Sequence, residues 1–343
     1  MPQNGKVIVL RFSAMGDVAM VASVLQEFSL QNPEIEIVMV SREAFKPFFD
    51  GISNLTFQAI LPKTKHKGVF GLYKLFRELL THKPVAVADL HDNLRSRLLS
   101  TFFRAIGVKI KRIDKGRSEK KALTRDKNKL LKPLKPTVER YADVFKAIGF
   151  KLQLSHLLKK DPKELPIKTT ALFDQSKQTI GISPFAQHPY KVYPLIKIEE
   201  VIAELDALNY QILIFGGGKE EKRVAEKWEA QFKQVKNLID KFTLTEELAI
   251  ISHLDLMLSM DSSGMHMASL MGIPVVSIWG PTHPYAGFLG YGQQLTDCIQ
   301  IDHPARPNSI YGNKPCLCGL EPCMDLIAPN IIVNKIKERL IHG

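Results

Sequence analysis

The chain has 343 residues, 45% of them hydrophobic and 24% charged, a composition that describes a folded globular protein and a length that suggests two domains rather than one core. No apolar run is long enough to span a bilayer, and the N-terminus, MPQNGKVIVLRF, enters a strand without a signal-peptide pattern, so a cytoplasmic location is expected. The four cysteines, Cys298, Cys316, Cys318 and Cys323, all fall near the C-terminus, which excludes a disulfide framework for the whole chain. The net charge of +12 arises almost entirely between Arg104 and Lys163, where 19 Lys and Arg face 6 Asp and Glu. Such a stretch favours an anionic partner, either a nucleic acid, a membrane surface or a phosphorylated substrate.

Taken in order, Lys6–Arg11 reads as a strand, Phe12–Asp17 as a turn and Val18–Leu30 as a helix. Gly16 suits a tight turn, and Asp17 falls at the helix start. Ile35–Val40 and Leu55–Leu61 are further strands and Val69–Thr81 is a helix. The strand Val85–Asp89 ends in His91-Asp92-Asn93 ahead of a helix from Leu94 to Ile106. Val108–Ile113 reads as one more strand. Lys115–Pro136, basic and poor in apolar residues, reads as a mobile loop, Thr137–Gly149 as a helix, and Lys159–Gln178 as an interdomain linker. The expected division is therefore 1–160, a linker 161–178, a second domain 179–328 and a terminal helix 329–343.

A second βα series begins with the strand Thr179–Ser183, whose loop carries His188-Pro189-Tyr190-Lys191. The strand Gln211–Phe215 runs into Gly216-Gly217-Gly218 and the helix Lys219–Phe232. Leu244–Ser252 is a helix with Thr245 as its cap. Leu254–Met260 and Pro274–Trp279 are buried parallel strands, and Asp261-Ser262-Ser263-Gly264-Met265-His266 turns the first of them into a short helix ending near Met271. In an open parallel sheet, ligands bind beyond the carboxyl ends of the strands, and a helix starting there aims N–H groups and positive dipole at an anion. Taken alone, the hexapeptide reads better as ordinary helix-start chemistry, with Asp261 and Ser262 as caps and His266 a satisfied surface residue. The recurrence of polar loops at several strand ends is what favours a site, and two successive α/β domains of this kind imply a cleft between them.

Five segments then resemble one family: VIVLRFSAMGDVAM, DLHDNLRS, ISPFAQHPYKVYP, IFGGGKEE and MDSSGMHMASLMGIPVVSIWGPTHP. Each is weak alone. In this order, each at a strand end, they resemble the bacterial lipopolysaccharide heptosyltransferases of glycosyltransferase family 9. The resemblance implies an α/β fold of the GT-B type, two Rossmann-like domains with parallel sheets facing across a cleft. It further implies transfer of a sugar, heptose from ADP-heptose, to a lipopolysaccharide core or lipid A-type acceptor. The N-terminal domain would bind that anionic glycolipid acceptor and the C-terminal domain the ADP-sugar donor.

By the same resemblance Asp17 is the general base and Lys191 contacts the phosphates, both counted as catalytic. Ser183, Asp261, Ser262, Ser263, Gly264 and His266 join Lys191 around the donor, with Glu220 or Glu221 at its nucleoside. Ser13, Gly16, His91, Asp92 and Asn93 form the acceptor side, together with Arg117, Lys120 and Lys121 from the basic stretch. Many relatives carry histidine where this chain has Met20 and glutamine where it has His91, which leaves room for a different acceptor. A catalytically silent sugar-nucleotide-binding relative, or a GT-B enzyme using another sugar nucleotide, remains the alternative.

No D-x-D occurs in the sequence, so no metal and no cofactor is expected, and Lys191, the helix start at Ser262–His266 and Ser13 would meet the leaving group's charge. C-x-C-x₄-C with His303 upstream has no standard zinc spacing, and reduced structural thiols are expected there. A dinucleotide oxidoreductase is disfavoured because G-x-G-x-x-G is missing after the first strand. Nucleic-acid binding is disfavoured because no RRM, KH or helix-turn-helix pattern accompanies the charge. The expected surroundings are the inner face of the cytoplasmic membrane, touched peripherally through Arg112, Lys115, Arg117, Lys120, Lys121 and Arg125.

Overall fold

The computed structural model describes residues 5–342; Met1–Asn4, the lead-in to the first strand, and Gly343 lie outside the described residues. In chain order the elements begin β1 (Gly5–Leu10), α1 (Met15–Gln31), β2 (Ile35–Ser41), β3 (Leu55–Ala59), α2 (Gly68–Leu80), β4 (Pro84–Asp89), α3 (Leu94–Ala105) and β5 (Lys109–Arg112). They continue with α4 (Arg117–Thr124), α5 (Thr137–Ile148), α6 (Ile167–Thr170), β6 (Thr179–Ser183), α7 (Leu195–Ala207), β7 (Gln211–Ile214), α8 (Lys219–Gln231), β8 (Val235–Asn237) and α9 (Leu244–Ser252). The last are β9 (Leu256–Met260), α10 (Ser263–Leu270), β10 (Val275–Trp279), β11 (Cys298–Gln300), the hairpin strands β12 (Leu317–Cys318) and β13 (Glu321–Pro322), and α11 (Pro329–His342).

The chain divides into two compact units, the first formed by the chain up to Lys115 together with Pro136–Ser155, the second by Gly116–Lys135 together with the chain from His156 onward. In the first, five parallel strands run in the order β3-β2-β1-β4-β5. Val7, Ile8, Val9 and Leu10 of β1 are fully buried, as expected of a central parallel strand covered by helices on both faces. α2 and α3 share one face, where Leu72, Leu75, Phe76 and Leu79 pack with Leu99 and Phe103. In the second unit six parallel strands run β11-β10-β9-β6-β7-β8, over a core that includes Ile182, Trp228, Leu258, Ile278 and Ile336.

Both orders reverse direction at one place, between β1 and β4 in the first sheet and between β6 and β9 in the second. At such a switch point the two crossovers leave to opposite sides, and the loops after the two strands flank a crevice. The polar loops after these four strands therefore sit where the topology opens the sheet.

Two local expectations are corrected. The stretch 115–136 is not a mobile loop: α4 forms there and packs within the second unit, with Leu123 fully buried against Ala286 and Leu134, and Lys120 over the Phe288 ring at 4.1 Å. Leu123 and Leu134 anchor it on Ala286, with Tyr285, Phe288 and Ile310 packed around them. The cap of α9 is Thr243 rather than Thr245; its side chain accepts from Glu246 N–H while the Glu246 carboxylate accepts from Thr243 N–H, a reciprocal capping box.

Candidate active site

At the first switch point, Arg11 follows β1 and the chain turns through Phe12, Ser13 and Ala14 into α1, whose first turn carries Gly16 and Asp17. Asp17 Oδ2 meets Arg11 Nη2 at 2.5 Å and accepts from Ala14 N–H at 3.3 Å. Arg11 is 8% exposed and donates through Nε to Ser13 O at 2.8 Å and through Nη1 to Leu90 O at 2.9 Å, so one guanidinium ties both loops to the carboxylate. The loop after β4 closes on the same point. His91 Nδ1 accepts from Phe12 N–H at 3.1 Å, and its ring meets the Phe12 ring edge-on. Burial, reinforced by the Arg11 and Lys115 charges, pushes His91 down to about 3, leaving it a neutral ring at physiological pH.

Beneath these loops lies Asp89, fully buried at the end of β4. Its Oδ1 accepts from His91 N–H and Asp92 N–H, and its Oδ2 meets Arg112 Nε at 3.1 Å. Asp92 adopts a left-handed conformation at φ +50° and pairs with Arg97 Nε at 2.7 Å, while Asn93 caps α3 by accepting from Ser96 N–H. Ser13, Gly16, Asp17, His91, Asp92 and Asn93 are thus brought together. Met20 is 2% exposed and packs into the interior of this unit, so it adds no open polar group.

At the second switch point, Lys191 closes the short turn Pro189–Lys191 after β6 and its Nζ meets Asp261 Oδ2 at 2.9 Å, with both side chains largely buried. Asp261 therefore binds the lysine instead of capping α10. Ser262 is the N-cap residue, yet its hydroxyl lies 3.4 Å from Ser259 Oγ and gives α10 no side-chain cap. Gly264 is required by close approach: a Cβ there would lie 2.4 Å from Ser183 Oγ, so the helix start rests directly on the end of β6. Ser263 is half-buried and His266 is 7% exposed in the first turns of α10. After β7, Glu221 bends back to accept from Gly217 N–H at 2.8 Å, whereas the Glu220 side chain is 87% exposed.

Arg117, Lys120 and Lys121 lie on α4 in the second unit, and Lys120 is buried with its ammonium over the Phe288 ring. Four residues of these sites carried no signal in the sequence reading. Arg11 and Asp89 read there only as the ends of apolar strands. Gly312, at φ +73°, lies over the Lys191 stem, where a Cβ would stand 2.2 Å from its Cγ. Arg306, 2% exposed, donates to the carbonyls of Trp279, Gly280, Thr282 and Ile301, fixing the Gly280–Pro284 loop. The expectation of reduced thiols is also corrected. The β12–β13 hairpin brings the Cys316 and Cys323 Cα atoms to 5.7 Å and the two are joined by a disulfide, with Cys318 buried beside them.

Solved structures are similar to the whole chain. The glycosyl transferase family 9 protein from Veillonella parvula has a TM-score of 0.73 at 18% identity, with 99% of this chain and 98% of that one covered. Escherichia coli ADP-heptose lps heptosyltransferase II has a TM-score of 0.69 at 16% identity, covering 98% and 99% of the respective chains. The fold is accordingly that of the GT-B glycosyltransferases, two α/β domains each built on a parallel sheet.

The family model of glycosyltransferase family 9 (heptosyltransferase) matches residues 72–313, and the chain belongs to that family. Among curated relatives, the lipopolysaccharide core heptosyltransferase OpsX of Haemophilus influenzae is 26% identical over 290 residues, 80% of this chain and 79% of its own. Lipooligosaccharide heptosyltransferase 2 of the same organism is 25% identical over 301 residues, covering 81% of this chain and 84% of its own.

Proposed function

We propose that this glycosyltransferase is inverting and metal-independent, moving heptose from ADP-heptose onto the core or lipid A region of a lipopolysaccharide-type acceptor, with Asp17 as general base. The observation that carries the reading is the buried Lys191–Asp261 pair at 2.9 Å, set beside a helix start without a side-chain cap, in a chain of family 9. A lysine held in place by a carboxylate, next to free helical N–H groups, suits a diphosphate. The E. coli heptosyltransferase WaaC has been solved with ADP and with ADP-2-deoxy-2-fluoro heptose, which supports the donor class. The names of the curated relatives support the acceptor class.

In the step proposed, the acceptor hydroxyl oxygen attacks the anomeric carbon opposite the leaving group while its proton passes to Asp17. The bond from that carbon to the β-phosphate oxygen breaks and ADP departs. Among the described residues the ion pair and hydrogen bond of Asp17 both fall on Oδ2, which leaves Oδ1 to take the proton. Lys191, the first N–H groups of α10 and His266 meet the charge growing on ADP. Glu221 shapes the glycine turn, which leaves Glu220 as the carboxylate for the nucleoside. Ser13, Gly16, His91, Asp92 and Asn93 form the acceptor side, and the exposed Arg117 and Lys121 of α4 attract the acceptor's anionic groups. The enzyme works peripherally at the inner face of the cytoplasmic membrane, where such an acceptor resides.

Donor binding and turnover test this. Lys191→Ala and His266→Ala should each weaken ADP binding or slow heptose transfer by about 10²-fold without unfolding the protein. EDTA should leave the wild-type rate unchanged. A rate abolished by EDTA and restored by Mg²⁺ overturns the metal-independent step, and failure of the wild type to turn over ADP-heptose overturns the donor assignment.

A further inference from the structure

The inner faces of α2 and α3 fill the core of the first unit, and their outer faces carry exposed apolar side chains beside the exposed Lys74, Arg77, Arg95, Arg97 and Arg104. On α2, Phe70 is 92% exposed, Val69 58% and Tyr73 48%; on α3, Leu94 is 85% exposed, with Leu98 and Phe102 half-buried. Val69 and Tyr73 are one turn apart, as are Leu94, Leu98 and Phe102, so each helix presents an apolar row to solvent. The rows are joined where the Tyr73 ring meets Phe102 edge-on at 5.7 Å. Isolated exposed apolar residues are ordinary, but a contiguous aromatic and leucine surface on neighbouring helices marks an interaction site.

The charge around this surface has one sign. Residues 61–77 contain Lys63, Lys65, Lys67, Lys74 and Arg77 and no Asp or Glu, and α3 carries Arg95, Arg97 and Arg104 and again no acid, with Arg97 paired to Asp92. Glu78, the next acid after the first stretch, is half-buried and engaged by Lys65 at 2.9 Å and by His66. Exposed apolar side chains on helices that also carry exposed cations and no exposed acid suit one partner above others, the interface of an anionic lipid bilayer, where rings and leucine enter the acyl boundary and lysines meet the headgroups.

The placement follows from topology. In a parallel α/β unit the helices run opposite to the strands, so the first turns of α2 and α3 lie at the carboxyl ends of the strands, the end that carries Asp17 and His91.

We propose that the outer face of α2 and α3, centred on Val69, Phe70, Tyr73 and Leu94, is the surface by which this protein docks on an anionic membrane, presenting the first switch point to a lipid-linked acceptor. The proposal rests on the peripheral-membrane part of the function proposed above and names its contact surface, which is not the basic stretch around α4. Two variants of the full chain test it by vesicle co-sedimentation: Val69→Ser/Phe70→Ser/Leu94→Ser, and Lys63→Gln/Lys67→Gln/Lys74→Gln. All the substituted side chains are exposed, so both variants should fold, with unchanged thermal unfolding and ADP affinity.

The wild type should partition onto phosphatidylglycerol-containing vesicles and not onto pure phosphatidylcholine, and each variant should bind the anionic vesicles about tenfold or more weakly. Transfer to a delipidated, water-soluble acceptor should be unaffected in both. If the wild type binds anionic vesicles and the variants bind equally well, this surface is wrong while peripheral attachment stands. If the wild type does not bind them, the membrane reading itself falls. Self-association of the wild type that the apolar variant abolishes, without vesicle binding, would assign the face to a second copy of the chain and overturn the proposal.

Discussion

His91 shows how a single residue's surroundings set its role. Its family-related position made it a candidate acceptor contact, but its Nδ1 is already engaged by Phe12 N–H and its ring is buried, so its first task is to hold the loops after β1 and β4 together. Its folded pKa of about 3 lies below the unfolded 6.5, so the unfolded chain binds a proton that the folded chain refuses between those values. The contribution of this neutral ring to stability is complete above pH 6.5 and is lost as pH falls toward 3. A loss on the order of 2–4 kcal/mol across that window is expected, and His91→Gln should flatten it. Urea midpoints at about pH 4.5 and about pH 7.5 for the two proteins check this; an equally steep pH dependence in the variant would remove His91 as the cause. Asp17 and Asp261 were legible in the sequence as carboxylates at βα turns, and Lys191 only through the family resemblance. Arg11 and Asp89 were not, because a charge closing an apolar run looks like the end of a strand, and only the fold turns it inward.

At the scale of elements, legibility followed periodicity. The long parallel strands and the helices α1, α2, α3, α5 and α9 were read close to their observed bounds, whereas β8, β11 and the β12–β13 hairpin are two or three residues long and carry no period to read. α4 was missed because Ala122 and Leu123 are its two apolar residues, too few to show a period, and only its packing with residues 284–310 reveals why it folds. The loop from Gly280 to Pro284 is held by a different device, the buried Arg306, whose bonds to backbone carbonyls leave no sequence pattern at all. Arg306→Ala would strand several buried carbonyls and should lower the unfolding free energy by about 3 kcal/mol or more. Arg306→Lys should recover only part of it, since one ammonium cannot reach acceptors spread around a planar fork. Thermal unfolding of both variants measures this, and wild-type melting for Arg306→Ala would mean that the loop is fastened by other contacts.

For the whole molecule, the architecture was legible in advance because two βα series, each with polar loops at its strand ends, leave few alternatives to two doubly wound sheets. The distribution of charge was less so. The basic stretch in the sequence is divided by the fold: 116–135, with 8 Lys and Arg against 2 acids, belongs to the second unit, while the flanking residues 104–115 belong to the first. A charge run in sequence is therefore shared between two units, and a membrane contact is better sought where charge and exposed apolar side chains coincide within one of them. The central claim, that Asp17 is the base of an inverting heptosyl transfer, is tested most directly by single-turnover transfer from ADP-heptose in Asp17→Asn, measured beside ADP-heptose affinity. Donor affinity should be retained, and the transfer rate should fall by about 10²- to 10⁴-fold, the usual contribution of a positioned base. A transfer rate close to wild type in that variant would contradict the account.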